Sequence, residues 1–296
     1  MQYVSDIHRE YHINQPWPKI TPRARFLALA GDIGNPKDKS YTNYISYCCS
    51  LFDHVFVVAG NHELWSHEID TCKRKIRAIC NERRNCTFLD DEVVEVEGVR
   101  IFGSTLWSPV TDRAAKGMND YNTIFYDNKH LTPEDTRLMH KKTVEKIDEL
   151  LNADEKPLLV ITHYAPLHSM NGDYGESPNI SAFCGECNHL FRRPLIGWIS
   201  GHTHSSTKTS ENGIPCYSNC WGYDAKEYSK YSIDAVLNVA QWCGMPRKHP
   251  HFNPTFACGN KGYSIPRRHR SDPLDEKKSW LAPKLSASTV ADCTNR

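Results

Sequence analysis

Phe26-Leu27-Ala28-Leu29-Ala30-Gly31-Asp32 and Val55-Phe56-Val57-Val58-Ala59-Gly60-Asn61-His62-Glu63 decide the fold of this chain. Each is an apolar run that stops at a glycine and then presents polar side chains. Runs of this length, rich in Leu, Val and Phe, read as buried strands. Two more follow the same pattern. Leu158-Leu159-Val160-Ile161 runs into Thr162-His163, and Ile196-Gly197-Trp198-Ile199 runs into Ser200-Gly201-His202. Tyr3-Val4-Ser5 before Asp6 is a shorter version.

Helical stretches separate these strands. Leu64 to Cys80 mixes polar and apolar residues at helical spacing. Thr132-Pro133-Glu134-Asp135 is a helix start, with Thr as N-cap, Pro at the first helical position and acids in the first turn. That helix is predicted to reach about Leu151, with Leu138, Val144, Ile147, Leu150 and Leu151 on its buried side. Val93 to Gly103 alternates around Gly98, as a hairpin does. Strands alternating with helices, plus a hairpin, predict an α/β layered domain with a mixed sheet. Ligands in such folds collect at the carboxyl ends of strands, where the Asp, Asn and His residues fall.

Composition narrows the function classes. Of 296 residues, 39% are hydrophobic and 24% charged, which excludes a disordered chain. A net charge of +1 gives no global case for nucleic acid or membrane binding. No apolar run approaches the roughly 18 residues of a membrane span. Asp6 and His8 come too early for a signal peptide, and the first strand is short enough to suggest a truncated start. From Ala225 onward there are 12 Lys/Arg against 6 Asp/Glu. Residues 1–231 are therefore expected to form the domain, and 232–296 a basic, Pro-containing extension, either solvated or in contact with an anionic partner. Twelve cysteines without a leader read as reduced thiols of a cytoplasmic protein. Cys184, Cys187 and His189 have zinc-ligand character, but no second Cys-x-x-Cys exists, and Cys216 or Cys220 would complete a site only by a coincidence of folding.

Five short motifs stand at the strand ends: Asp6-Ile7-His8, Gly31-Asp32, Gly60-Asn61-His62-Glu63, His163, and Gly201-His202-Thr203-His204. Imidazole and carboxylate are the usual ligands of zinc, iron and manganese. Each motif alone is weak, since a single His at a strand end is more often a core or surface residue. All five in this order resemble the calcineurin-like metallophosphoesterase superfamily, whose pattern is D-x-H, GD, GNH[DE], H and GH-x-H. The resemblance spans about Met1 to Tyr223. Gly103-Ser104-Thr105-Leu106-Trp107, His163-Tyr164-Ala165-Pro166 and Ser218-Asn219-Cys220-Trp221-Gly222-Tyr223 are similar to a small bacterial and viral branch.

The resemblance implies an α/β fold of two stacked mixed β-sheets flanked by helices, in four layers α/β/β/α. It implies two divalent metal ions (Mn, Fe or Zn) and a phosphate-ester substrate. Asp6, His8 and His204 would bind the first ion, and Asn61, His163 and His202 the second. Asp32 would bridge them, and His62 would act as an acid beside the substrate. Two divalent ions about 3.5–4 Å apart repel, so an anionic bridge suits the site, and bound water reaches a pKa near 7. Asn61 is a neutral ligand that keeps the site positive. Glu63 suits the positive end of the helix that follows it.

Departures narrow the branch. Asn35 stands where many members carry a second acid, Ala59 where protein phosphatases carry Arg, and Tyr164 where cyclic-nucleotide enzymes often carry a second His. The expectation is a hydrolase of a small or nucleotide-like phosphomonoester or phosphodiester. A nuclease whose tail, with Arg267-Arg268-His269-Arg270 near Tyr263 and Trp280, tracks nucleic acid is the second reading. A non-enzymatic binding protein on the same fold is the third. Leu167 to Arg193, with Tyr174 and Phe183, is expected at the rim of the pocket, and Asp120 and Tyr121 beside it.

Overall fold

The computed structural model describes residues 1–12, 16–172, 175–224, 227, 230–238, 255–258 and 261–264. All belong to one unit of the chain, Met1–Ile265. Tyr174, Trp280 and the basic cluster Arg267 to Arg270 lie outside the described residues.

The first 88 residues build one sheet with its helices. Strands β1 (Gln2–Val4), β2 (Phe26–Ala30), β3 (His54–Val58) and β4 (Cys86–Phe88) pair in parallel in that order. A lone antiparallel bridge joins Gln2 to Val236 at its edge. Beyond Tyr231, Ala235 and Leu237 are buried against this edge; Leu237 N donates to Met1 O at 2.8 Å. Helices α1 (Lys39–Leu51), α2 (Asn61–Leu64) and α3 (Ile69–Asn81) follow β2 and β3.

A mixed six-stranded sheet follows. The strands β5 (Glu92–Val96) and β6 (Val99–Ser104) form the expected hairpin, turning at Glu97 and Gly98, both with positive φ. Short helices α4 (Asp112–Ala115) and α5 (Asp120–Thr123) and the small ribbon β7 (Phe125–Tyr126) with β8 (Lys129–His130) precede α6 (Pro133–Ala153). Then come β9 (Leu158–Thr162), β10 (Leu195–Ser200), β11 (Lys208–Glu211) and β12 (Ile214–Ser218), giving the order β11-β12-β10-β9-β6-β5. A last hairpin pairs β13 (Thr255–Cys258) with β14 (Lys261–Ser264). No described helix is long and apolar enough to cross a membrane.

Strand alternation explains the layering. Leu27, Leu29, Val55 and Val57 share a core with Tyr44, Ile45 and Ile76 of the helices. Their neighbours Ala28, Ala30, Phe56 and Val58 share a second core with Ile101, Leu159, Ile161 and Ile199 of the other sheet. Side chains of one strand thus face the helices and the opposite sheet in turn, which stacks the two sheets. Each large aliphatic side chain buried this way contributes about 1.5–3 kcal/mol.

Helix α6 begins as expected. Asp135 N donates to Thr132 Oγ1 at 3.2 Å and Thr132 N donates to Asp135 Oδ2 at 3.0 Å, a reciprocal cap. Ile147 and Leu151 are buried, but Leu138 is 49% exposed, against expectation. The helix expected over Leu64 to Cys80 is two helices. Trp65 Nε1 donates to Asp120 Oδ1 at 2.7 Å, Ser66 N donates to Thr123 O at 2.9 Å, and Ser66 has φ 62°. These tertiary bonds to the α5 region replace the helical ones between α2 and α3.

Glu63 of α2 ties the strand ends together. It is fully buried. Its carboxylate accepts from Asp32 N at 2.8 Å, Ile33 N at 2.7 Å and Gly60 N at 2.8 Å. Its role is therefore wider than completing a helix start.

Two stability tests follow from this packing. Ile147→Ala is expected to cost about 2–5 kcal/mol in denaturant unfolding, and Leu138→Ala on the same helix no more than about 0.5. Glu63→Ala orphans three buried N–H groups at about 1–3 kcal/mol each, so a loss of at least about 3 kcal/mol is expected. Glu63→Gln, which keeps one acceptor oxygen, should lose less. Equal unfolding midpoints for Glu63→Ala and the unmutated protein would refute the tie.

Candidate active site

The five motifs meet where the strands end. Asp6 and His8 follow β1, Asp32 follows β2, Asn61 and His62 open α2 after β3, His163 follows β9, and His202 and His204 follow β10. Three sets of inward-facing ligand atoms lie within 4.8 Å of one another: Asp6/His8/His204, His8/Asp32/His62 and Asp32/His163/His202. Asn61 joins the last set, with Oδ1 3.0 Å from His163 Nε2. All eight expected residues are therefore brought together.

The backbone there is unusual. Asp6, His8, Asp32, His202 and His204 all have left-handed φ, between 48° and 68°. Non-glycine residues seldom adopt it, and such strain clusters at functional sites. Two glycines allow the approach. A Cβ on Gly31 would lie 2.5 Å from His163 Nδ1, and one on Gly60 would lie 2.1 Å from Asp32 Oδ1.

Each imidazole of the centre is oriented by its outer nitrogen. His163 Nδ1 lies 2.9 Å from Ala30 O and His202 Nε2 lies 3.3 Å from Ala182 O. His8 Nδ1 lies 3.0 Å from Glu10 Oε1, and His204 Nδ1 lies 3.0 Å from Glu227 Oε2. All four partners are acceptors, so each outer nitrogen carries a proton, and in the neutral ring the inner nitrogen is the one with a lone pair. Those bare nitrogens face each other: His8 Nε2 is 3.0 Å from His204 Nε2, and His163 Nε2 is 3.1 Å from His202 Nδ1. Asn61 is fixed likewise, donating Nδ2 to Asp120 Oδ1 at 2.9 Å and turning Oδ1 inward. Asp32 Oδ2 stands 3.3 Å from His163 Nε2 and 3.8 Å from His8 Nε2, between the two groups.

This donor set fits cations. Ligands about 2.0–2.1 Å from one ion at right angles stand about 3 Å apart, the spacing seen between the facing nitrogens. Burial lowers the His202 and His8 imidazoles, which favours the neutral ligand form, whereas against their burial the Asp32 carboxylate raises His163 to about 9 and the Glu227 hydrogen bond raises His204, so a proton competes with a cation at those two rings. Burial opposes ionisation of Asp32, but His163 and His62 outweigh it and hold the carboxyl well below its usual range.

His62 has other partners for both ring nitrogens, although one of those nitrogens lies within 4.8 Å of ligand atoms of His8 and Asp32. Its Nδ1 lies 3.0 Å from Glu10 Oε1 and its Nε2 lies 3.0 Å from the Tyr223 hydroxyl, while its backbone N donates to Asp32 Oδ1 at 2.9 Å. Trp65 stacks on the ring with centroids 3.7 Å apart. Burial resists charge on Glu10, yet its hydrogen bonds to His62 and His8 bring it down to about 2, so it is an acceptor.

A cavity of about 520 Å³ opens over these residues. Asp120 and Phe183 line it as expected, with Asn171 and Ser177 of the Leu167 to Arg193 segment. Tyr121 packs elsewhere, its hydroxyl 3.1 Å from Thr136 Oγ1. Tyr164 is buried, stacks on His202 at 3.9 Å between centroids and donates to Asp120 Oδ2 at 3.3 Å. Glu10, Glu227 and Tyr223 were not singled out from the sequence as site residues. Glu10, two residues after His8, and Tyr223, within the Trp221-Gly222-Tyr223 stretch, have proximity to motifs as their one signal, and Glu227 has none.

Among the described residues the cysteines form no comparable centre. Cys184 and Cys187 are buried free thiols whose pKa burial raises to about 12, and His189 is exposed. Among the described residues, no metal-ligating group includes them.

Comparison with known proteins agrees with this geometry. Residues 3–206 match the Calcineurin-like phosphoesterase family. The chain is 34% identical over 272 residues to the uncharacterized protein L509 of Acanthamoeba polyphaga mimivirus, covering 81% of this chain and 97% of that protein. It shares its fold with the phosphopantetheinyl hydrolase PptH of Mycobacterium tuberculosis at a TM-score of 0.62 and 18% identity, covering 77% of this chain and 90% of the other. A family match over more than half the length, centred on the strand ends that bear the ligand atoms, leaves one assignment: this chain belongs to the calcineurin-like phosphoesterases and is a metallophosphoesterase.

Proposed function

We propose that the chain hydrolyses phosphate esters at a centre of two divalent cations, Mn, Fe or Zn. Asp6, His8 and His204 would hold one, Asn61, His163 and His202 the other, and Asp32 would serve both. The observation that carries this reading is the set of four imidazoles whose protonated nitrogens all point outward to acceptors. Four inner nitrogens converging with two carboxylates are a donor set suited to divalent cations. When bound, such ions supply Lewis-acid charge to a phosphoryl group and lower the pKa of water.

The chain's own groups do the rest. Asn61 contributes a neutral oxygen, so the ligand set carries only the charges of Asp6 and Asp32. Glu10 fixes a proton on His62 Nδ1 and aims Nε2 at the cavity, the position for an acid that protonates a leaving oxygen. The cavity, with Trp65, Met118 and Phe183 in its walls, has room for a small or nucleotide-like ester and apolar surface to bind its organic part. Monoesters and diesters both suit this arrangement.

The test is hydrolysis of p-nitrophenyl phosphate and bis(p-nitrophenyl) phosphate with manganese added. Activity is expected to vanish with a chelator and return with metal. Asp32→Asn should reduce bound metal below two ions per chain and abolish turnover. His62→Ala should keep the metal and lower kcat by about 10²–10⁴-fold on an ester with a poor leaving group, and by much less on these p-nitrophenyl esters. A purified protein that binds no divalent metal would sink the reading. Asp120→Ala frees the Asn61 amide, and an affinity loss of about 10–100-fold for one ion is expected by titration calorimetry.

A further inference from the structure

One polar group beside the cavity has no place in the scheme above. The Tyr223 hydroxyl lies 3.0 Å from His62 Nε2, the nitrogen that the hydrolase reading turns toward the leaving group. Tyr223 lines the cavity with His62 and Asp32 and is 42% exposed. Its ring lies over the centre, with centroids 4.4 Å from His8 and 4.3 Å from His204. Tyr11 closes the outer side edge-on at 5.4 Å.

The backbone makes this placement definite. Ser5 and Cys220 form a parallel bridge, Trp221 N donates to Ser5 O at 3.0 Å, and Gly222 N donates to Asp6 O at 2.8 Å. The Asp6 segment itself therefore carries Tyr223. Tyr223 N also donates to Glu227 Oε2 at 2.6 Å, the oxygen that holds His204 Nδ1. The ring is thus anchored to two elements of the centre.

We propose that Tyr223 is a further catalytic residue, relaying a proton from His62 to the leaving oxygen. The inference rests on the hydrolase reading. A tyrosine hydroxyl can accept one hydrogen bond while donating another, and a phenol is ordinarily protonated at neutral pH. In the step, the ester P–O bond breaks and its electron pair goes to the leaving oxygen, while a bond from phosphorus to the entering water oxygen forms. The Tyr223 O–H proton moves to the leaving oxygen, and the His62 Nε2 proton moves to the Tyr223 oxygen. The proton released by the entering water balances the one that solvent returns to His62. Glu10, His62 and Tyr223 form one hydrogen-bonded line, with 3.0 Å at each link. His62 then never needs to touch the substrate, and Tyr223 does.

The experiment compares Tyr223→Phe, His62→Ala and the double variant on paired phenyl and p-nitrophenyl esters of the class the unmutated enzyme prefers. Proton delivery matters most for the poor phenol leaving group. Tyr223→Phe is expected to lower kcat on the phenyl ester by about 10²-fold or more, and on the p-nitrophenyl ester by no more than about tenfold. His62→Ala should show the same leaving-group dependence, and the double variant should lose no more than His62→Ala, as residues acting as a unit do. Metal content and Tm of Tyr223→Phe should match the unmutated protein. Equal losses on both esters, an unimpaired phenyl ester, multiplicative losses in the double variant, or loss of metal would each overturn the relay. Activity of the unmutated enzyme tests the hydrolase reading, whereas the ratio between esters tests the relay, so the two fail separately.

Discussion

Glu63 holds the centre from beneath. One buried carboxylate accepts backbone N–H groups from Asp32, Ile33 and Gly60, which belong to the ends of two neighbouring parallel strands. Burial and the nearby Asp32 push this carboxyl up to about 8, while three backbone donors favour its charged form. The consequence is geometric. Asp32 and Asn61 stand on loops that would otherwise leave amide groups unpaired in a dry interior, a cost each loop would relieve by moving. With Glu63 in place, neither loop can shift without breaking bonds of the other.

A second ring of acids performs the same service for the side chains. Glu10 orients His8 and His62, Asp120 orients Asn61, and Glu227 orients His204. Backbone carbonyls of Ala30 and Ala182 do so for His163 and His202. Left-handed backbone at five of the eight residues shows that local preference is overruled here. Strain of order 1–3 kcal/mol per residue survives only where surrounding bonds over-determine the conformation. The outer ring supplies those bonds.

What was legible in the sequence follows from the same physics. Strands buried on both faces are continuous apolar runs, so β2, β3, β9 and β10 could be read directly, along with the ligand side chains that end them. The hairpin of β5 and β6 and the cap of α6 have short-range signals of their own. The pair β11 and β12 was not read, because Lys208-Thr209-Ser210-Glu211 is a polar edge strand, although Asn212-Gly213 at its turn is a hairpin signal. The break at Trp65 and Ser66 was hidden because its cause lies some fifty residues away in sequence, at Asp120 and Thr123. Leu138 fits helical spacing, yet spacing cannot tell which apolar residues the sheet covers. Glu10 and Glu227 were illegible for a related reason. Single acids carry no pattern, and their importance arises from which imidazole nitrogen the fold brings to them.

The ligand set also fixes the charge that a substrate meets. Two carboxylates and five neutral donors leave two divalent cations with a net double positive charge, on the proposed reading. The acids of the outer ring are hydrogen-bonded to the far nitrogens, so their field reaches the cavity through the ligands and softens this charge. A carboxylate in place of Asn61 would cancel half of it. The protein-phosphatase branch adds arginine beside its motifs, and here Ala59 occupies one such position, buried in the core. Among the described residues that line the cavity there is no Lys or Arg, so the pull they exert on the phosphoryl group falls to the centre itself, while Trp65, Met118 and Phe183 offer the organic part of the ester an apolar wall. Binding energy on that wall can hold the ester in place, and the charge of the centre is left to act where negative charge grows during reaction, which is where it accelerates chemistry.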